Sequence, residues 1–230
     1  MIPAYLAGQR APGVVEGQPV AQFELGSWKN FVYLLLCWET RRAALVDPQS
    51  DLETPLAALA AHGFTLERAL LTHTHHDHVA GVPELLRRYP GLPVHLHPDD
   101  LFRVESMLAP ATVELTRDGE TVQVGRLRLT ALHTPGHSAG HTCWRLADLS
   151  PPLLCTGDCV FIRDCGRTDL ETGDDAAMFA SIQRVKALPP ETVILPGHHY
   201  QPECATALAR ELETSPPFRC RSVEELRALP

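Results

Sequence analysis

From Thr72 to His78 the chain reads Thr-His-Thr-His-His-Asp-His, which sets four histidines and one aspartate in the six positions His73 to His78. No helix cap, turn or apolar pattern calls for that composition. Neutral imidazole and carboxylate are the usual ligands of Zn²⁺ and related cations, so the cluster reads as a metal site. The apolar Ala69-Leu70-Leu71 before it reads as a buried strand. Val79, Val82, Leu85, Leu86 and Tyr89 after it keep helical spacing, which predicts a helix over Val79 to Tyr89. The candidate ligands would then stand on a strand-to-helix turn.

The same arrangement recurs at later strand ends. Thr134-Pro135-Gly136-His137 follows the apolar run Leu127 to Leu132, Thr156-Gly157-Asp158 follows Leu153-Leu154-Cys155, and Pro196-Gly197-His198 follows Val193-Ile194-Leu195. Each buried run ends in small residues or Pro, and a His or Asp comes next. Loops at one edge of a sheet sandwich can meet at one site although they are far apart in sequence. His133, His141 and His199 lie beside these candidates and are expected to hydrogen-bond to them or to play no part. His62, His95 and His97 read as ordinary structural histidines, and Cys155, Cys159 and Cys165 as small buried thiols.

The positioning elements follow from the apolar pattern. Strands are predicted at Phe31–Trp38, Ala43–Val46, Ala69–Leu71, Val94–His97, Thr121–Val124, Leu127–Thr134, His141–Leu146, Leu153–Thr156 and Thr192–Leu195. Helices are predicted at Asp51–His62, Asp174–Ala187, Glu203–Glu213 and Ser222–Leu229. Strands and helices interleave, yet short turns such as Gly125-Arg126 join neighbouring strands. That predicts mixed sheets with helices outside. No linker composition divides residues 1–230, so a single domain is expected.

Composition narrows the function classes. The net charge is −8 without a basic run, which disfavours a nucleic-acid partner. No apolar run reaches the ~18 residues of a membrane helix, and no secretory signal is recognisable, so no membrane partner is expected. The seven cysteines include no C-x-x-C, and free thiols in the cytoplasm are the expected state.

The ordered set H-x-H-x-D-H, T-P-G-H, G-D and G-H, running with its strands from about Phe31 to His198, resembles the metallo-β-lactamase superfamily. The resemblance implies an α/β (α+β) fold, a four-layer αβ/βα sandwich of two mixed sheets flanked by helices. It implies that His73, His75 and His137 hold a first metal and that Asp77, His78 and His198 hold a second. Asp158 would bridge them, with Asp77 and Asp158 as the catalytic carboxylates. His76 falls at the motif's variable position. The implied cofactors are two divalent ions, Zn first, Fe or Mn otherwise. A hydroxide shared by such a pair attacks an electrophilic carbonyl or phosphorus.

The segment Ile162-Arg163-Asp164-Cys165-Gly166-Arg167-Thr168-Asp169 is similar to two glutathione-linked branches. Glyoxalase II-like enzymes hydrolyse hydroxyacylglutathione thioesters, and persulfide dioxygenases oxidise glutathione persulfide at one Fe(II). The Cys-Gly-Arg stretch and Tyr200 resemble the dioxygenases. His76 before Asp77, and His141 where dioxygenases carry Cys, resemble the hydrolases, and the short stretch after His198 resembles the shorter bacterial glyoxalase II-like proteins, which lack a long helical C-terminal region. The expected function is therefore hydrolysis of a small glutathione-type thioester. A mononuclear Fe(II) dioxygenase is the alternative, and another hydrolase such as a lactonase, or a non-enzymatic member, comes third. Arg163, Arg167 and Tyr200 are the candidate substrate contacts. The partner is a small molecule, and a homodimer is compatible with the chain.

Overall fold

The computed structural model describes residues 2–8, 10–11, 13–108 and 113–229. Strands β1 to β6 are Val20–Leu25, Asn30–Cys37, Arg42–Val46, Thr65–Leu70, Val94–Leu96 and Val113–Leu115, in that spatial order in one sheet. Strands β7 to β10 are Thr121–Val124, Leu127–His133, Thr142–Leu146 and Leu153–Gly157. β11 and β12, Val160–Phe161 and Asp164–Cys165, form a small hairpin, and β13 and β14 are Val193–Pro196 and Thr206–Ala207. The second sheet runs β14-β13-β10-β9-β8-β7. Both sheets are mixed: β3 to β6 pair in parallel in the first, β10 and β13 in the second.

Strand β2 shows why the layers stack. Its sequence NFVYLLLC is buried throughout. Phe31, Tyr33 and Leu35 face the second sheet and meet Trp144, Leu153 and Val193, while Val32, Leu34 and Leu36 face outward. A strand covered on both faces has no reason to alternate with polar residues. Outside the first sheet lie α1 (Glu53–Ala61), α2 (His76–Val79) and α3 (Val82–Arg88). Outside the second lie α4 (Asp175–Lys186), α5 (Leu208–Thr214), α6 (Pro216–Arg219) and α7 (Val223–Arg227), which cover Cys143, Leu154 and Ile194. This is the expected αβ/βα sandwich. No helix among the described residues is long and apolar enough to cross a membrane.

The sheets are tied together at the edge that carries the motifs. Phe31 N donates to Gly197 O at 2.8 Å and Thr142 N to Thr72 O at 2.7 Å. The buried Trp144 indole donates to Leu71 O at 3.0 Å. Trp144→Phe would strand that carbonyl, at a cost of about 1–3 kcal/mol in unfolding experiments.

The short β6, β11, β12 and α6 are not among the predicted elements, and three further differences have a physical cause. The helix predicted over Val79 to Tyr89 is two, because the chain turns at Ala80-Gly81, where Gly81 N donates to Pro48 O at 2.9 Å, and Pro83 opens a new helix. The helix predicted over Glu203 to Glu213 begins only at Leu208, because Thr206 and Ala207 pair with β13. β1 was hidden by Gln22, a fully buried polar residue that donates to Tyr33 OH at 3.1 Å and Cys204 O at 2.8 Å.

Candidate metal centre

The four motif loops meet at the sandwich edge. His73 and His75 leave the end of β4, and Asp77 and His78 stand in α2. His137 follows β8, Asp158 follows β10 and His198 follows β13. Among the described residues, two trios of the expected ligands have atoms close enough to share one ion each, His73, His75 and His137, and Asp77, His78 and His198; Asp47, His73 and His78 form a further group that overlaps both. Asp158 lies between them, its Oδ2 3.5 Å from His137 Nε2 and 3.3 Å from His198 Nε2, its Oδ1 3.4 Å from His78 Nε2. His76 is exposed and outside the cluster.

The ring orientations suit cations. His137 Nδ1 donates to Arg167 O at 2.8 Å and His198 Nδ1 to Trp28 O at 2.9 Å, which leaves both Nε2 lone pairs facing inward. His78 Nδ1 meets Asp47 Oδ2 at 3.1 Å, so its Nε2 also points in, 3.1 Å from His198 Nε2. His75 Nδ1 and His137 Nε2 are 2.9 Å apart. Two buried atoms of the cluster, His73 Nε2 and Asp158 Oδ1, have no hydrogen-bond partner among the described residues. Buried polar atoms normally find one. Convergent nitrogen and carboxylate atoms with orphans among them fit divalent cations, and these clusters could hold metal ions.

The protonation pattern divides the trios. Burial, reinforced by neighbouring histidines, pushes His73 well below its ordinary value, pushes His75 down to about 4, and lowers His137. Burial acts on His78 in the same direction, but Asp158, Asp47 and Asp77 outweigh it and raise His78 to about 9. Burial would push Asp77 and Asp158 up, yet His78 beside both holds each carboxyl below its usual range.

Further residues orient the candidate ligands. Asn30 Nδ2 donates to Asp77 Oδ2 at 2.9 Å. Asp47 accepts from Thr72 N at 2.7 Å and Thr72 Oγ1 at 2.6 Å, besides meeting His78. Thr72 Oγ1 in turn lies 3.1 Å from His73 Nδ1. Asp47 did carry a readable mark, since it directly follows β3 as the motif residues follow their strands. His141 has the hydrogen-bonding role open to it: its Nε2 accepts from Asp158 N at 3.1 Å, and its Nδ1 meets Thr134 Oγ1 at 2.9 Å. Two motif glycines are close approaches. A Cβ at Gly197 would run into Asp158 Oδ1, and one at Gly166 would press on Asp158 O and His137 Nδ1.

The expected substrate contacts are placed unequally. Tyr200 is 51% exposed, and its ring lies flat against His198, centroids 4.8 Å apart at 9°. Arg163 is engaged by Glu203 at 2.9 Å and Gln201 at 2.8 Å. Arg167 pairs with Asp169 at 2.6 Å, and only its carbonyl reaches the cluster. A further group, His97, Asp99 and His133, lies apart. Its two rings stack at 3.9 Å and 5°, so their lone pairs lie in parallel planes and do not converge on one ion.

Residues 28–198 match the family model of the metallo-beta-lactamase superfamily. Among solved structures the chain is similar to ETHE1 from Myxococcus xanthus, with 29% identity and a TM-score of 0.80 over 93% of this chain and 92% of that one. It is similar to TTHA1623, solved in a di-iron-bound form, with 33% identity and a TM-score of 0.71 over 85% of this chain and 98% of that one. A metallo-beta-lactamase from Staphylococcus aureus shares 26% identity and a TM-score of 0.80 over 90% of this chain, which spans 64% of that protein's length. With the matched model covering β2 to β13, the motif loops and every residue of both trios, the chain belongs to the metallo-beta-lactamase superfamily of metal-dependent enzymes.

Proposed function

We propose that the protein is a dinuclear metallohydrolase that cleaves a small, glutathione-type thioester. In this reading His73, His75 and His137 would hold one cation, Asp77, His78 and His198 would hold the other, and Asp158, between the trios, would serve both. Zn is the first choice of metal. The observation that carries the reading is the second trio. Asp77 is fixed by Asn30, His78 by Asp47 and His198 by the Trp28 carbonyl, so each turns its ligand atom toward one point. The likeness to a protein solved with two irons supports it.

Bound divalent cations supply Lewis acidity and a hydroxide at neutral pH. The chain's own residues set the rest. Asn30 holds Asp77 Oδ2 against the His78 and His198 edges, where the carboxylate can orient a water. Tyr200 roofs His198 and offers its outer face to the substrate. A thiolate leaves readily, so a site of this kind needs no strong general acid. Seven unpaired cysteines suit a reducing compartment such as the cytoplasm.

A second reading, a mononuclear Fe(II) dioxygenase acting on glutathione persulfide, draws on the Cys165-Gly166-Arg167 stretch. The packing gives that stretch a supporting task of its own: Gly166 and the Arg167 carbonyl sit against His137. The motif therefore weighs less as a substrate signature. The two readings separate in one assay pair. The hydrolase releases thiol from a 2-hydroxyacylglutathione thioester without consuming oxygen. Oxygen uptake on glutathione persulfide, with thioesters left intact, overturns it.

A further inference from the structure

Asp100 belongs to no motif and is fully buried. It lies in the 3₁₀ turn Pro98–Arg103 that follows β5. Its backbone carbonyl accepts from Thr74 Oγ1 at 3.1 Å, and Thr74 stands between His73 and His75. Its carboxylate accepts from Ser138 Oγ at 2.7 Å and from Gly140 N at 2.8 Å. Ser138 adjoins His137, and Gly140 adjoins His141, the residue that holds the Asp158 amide. One residue therefore grips both loops that carry the first trio.

Arg103 completes the brace. Its Nη1 lies 3.7 Å from Asp100 Oδ1 and has no hydrogen-bond partner among the described residues. Its Nη2 donates to Glu171 O at 2.5 Å and Thr172 Oγ1 at 3.2 Å. Thr172 Oγ1 also accepts from Ala139 N at 3.2 Å, in the same loop as His137. None of these bonds touches Asp77, His78 or His198, whose supports are Asn30, Asp47 and Trp28.

We propose that Asp100, paired with Arg103, is a positioning residue for the first metal position: it sets the spacing of His73 and His75 against His137. This rests on the dinuclear reading above. Partners that orient metal ligands typically contribute about 10–100-fold to metal affinity.

The test uses metal-stripped protein titrated with Zn²⁺ against a chromophoric chelator. Asp77→Ala is the background, because it confines binding to the first position. Adding Asp100→Asn removes the charge while its amide can still reach Ser138 and Gly140; adding Asp100→Ala removes both. The expected result is a loss of about tenfold in Zn²⁺ affinity with Asn and up to about 100-fold with Ala. Circular dichroism and thermal melts monitor the fold. If Asp100→Ala fails to fold, Asp100→Asn alone decides. A folded Asp100→Asn with affinity within twofold of its background overturns the proposal, as does an equal loss at both positions in the otherwise wild-type chain. If the wild-type chain binds no Zn²⁺ in the same titration, the dinuclear reading itself has failed.

Discussion

The two trios share Asp158 but rest on different chemistry. His73 and His137 lean on neutral partners, the Thr72 hydroxyl and the Arg167 carbonyl. His78 leans directly on the Asp47 carboxylate, with Asp77 and Asp158 on its other edge. Burial therefore decides the first trio and keeps its imidazoles neutral, whereas carboxylates decide the second and hold a proton on His78. Neutral histidine is the form that binds metal. On the dinuclear proposal the first position would load at neutral pH without losing a proton, and the second would release one from His78.

The largest effect should come where the comparison breaks down, at the shared carboxylate. Asp158→Ala removes a ligand from both positions, and turnover should fall by about 10³-fold or more in a steady-state assay. A loss below about tenfold would mean that the trios do not act as a pair.

The next effect sharpens the contrast. His78 in the metal-free protein stays protonated up to about 9, above the ordinary 6.5. Zn²⁺ affinity at the second position should therefore rise by about tenfold per pH unit between pH 6.5 and 9, one proton being released. Affinity at the first should stay flat over that window, because His75 does not protonate until about 4. Competition titrations between pH 6.5 and 8.5 check both slopes, and equal slopes would dissolve the distinction. The same shifts act oppositely on the stability of the metal-free fold. The raised His78 contributes below pH 6.5 and loses its contribution as pH rises through about 9. The depressed His75 contributes above 6.5 and loses its contribution as pH falls toward about 4.

Smaller effects belong to the surface near each trio. Tyr200→Ala removes the ring stacked on His198 and should raise KM by about two- to tenfold with little change in kcat, in line with ~0.5–1.5 kcal/mol for an aromatic contact. Arg167→Ala should change KM by less than about twofold, because the guanidinium already pairs with exposed Asp169 and the carbonyl that holds His137 is retained.

The same contrast explains what could be read from the chain. The strands were legible wherever burial on two faces wrote an apolar run, as at Phe31 to Cys37. They were not where a polar side chain finds its partner inside, as Gln22 does, or where a two-residue strand hides in helical spacing, as at Thr206-Ala207. The candidate ligands were legible because their types are costly to bury without a purpose. The residues that orient them were not. Asn30, Asp47 and Asp100 are ordinary polar residues until the fold brings them to Asp77, Thr72 and Ser138, 47, 25 and 38 positions away. Only Asp47, directly after β3, shared the strand-end mark of the motifs.

The dinuclear claim is tested most directly by counting metal in the purified wild-type chain and in Asp77→Ala by elemental analysis. Two divalent ions per wild-type chain, falling to one in the variant with loss of thioester hydrolysis, is the predicted result. One ion per chain in both, with activity retained, would contradict it.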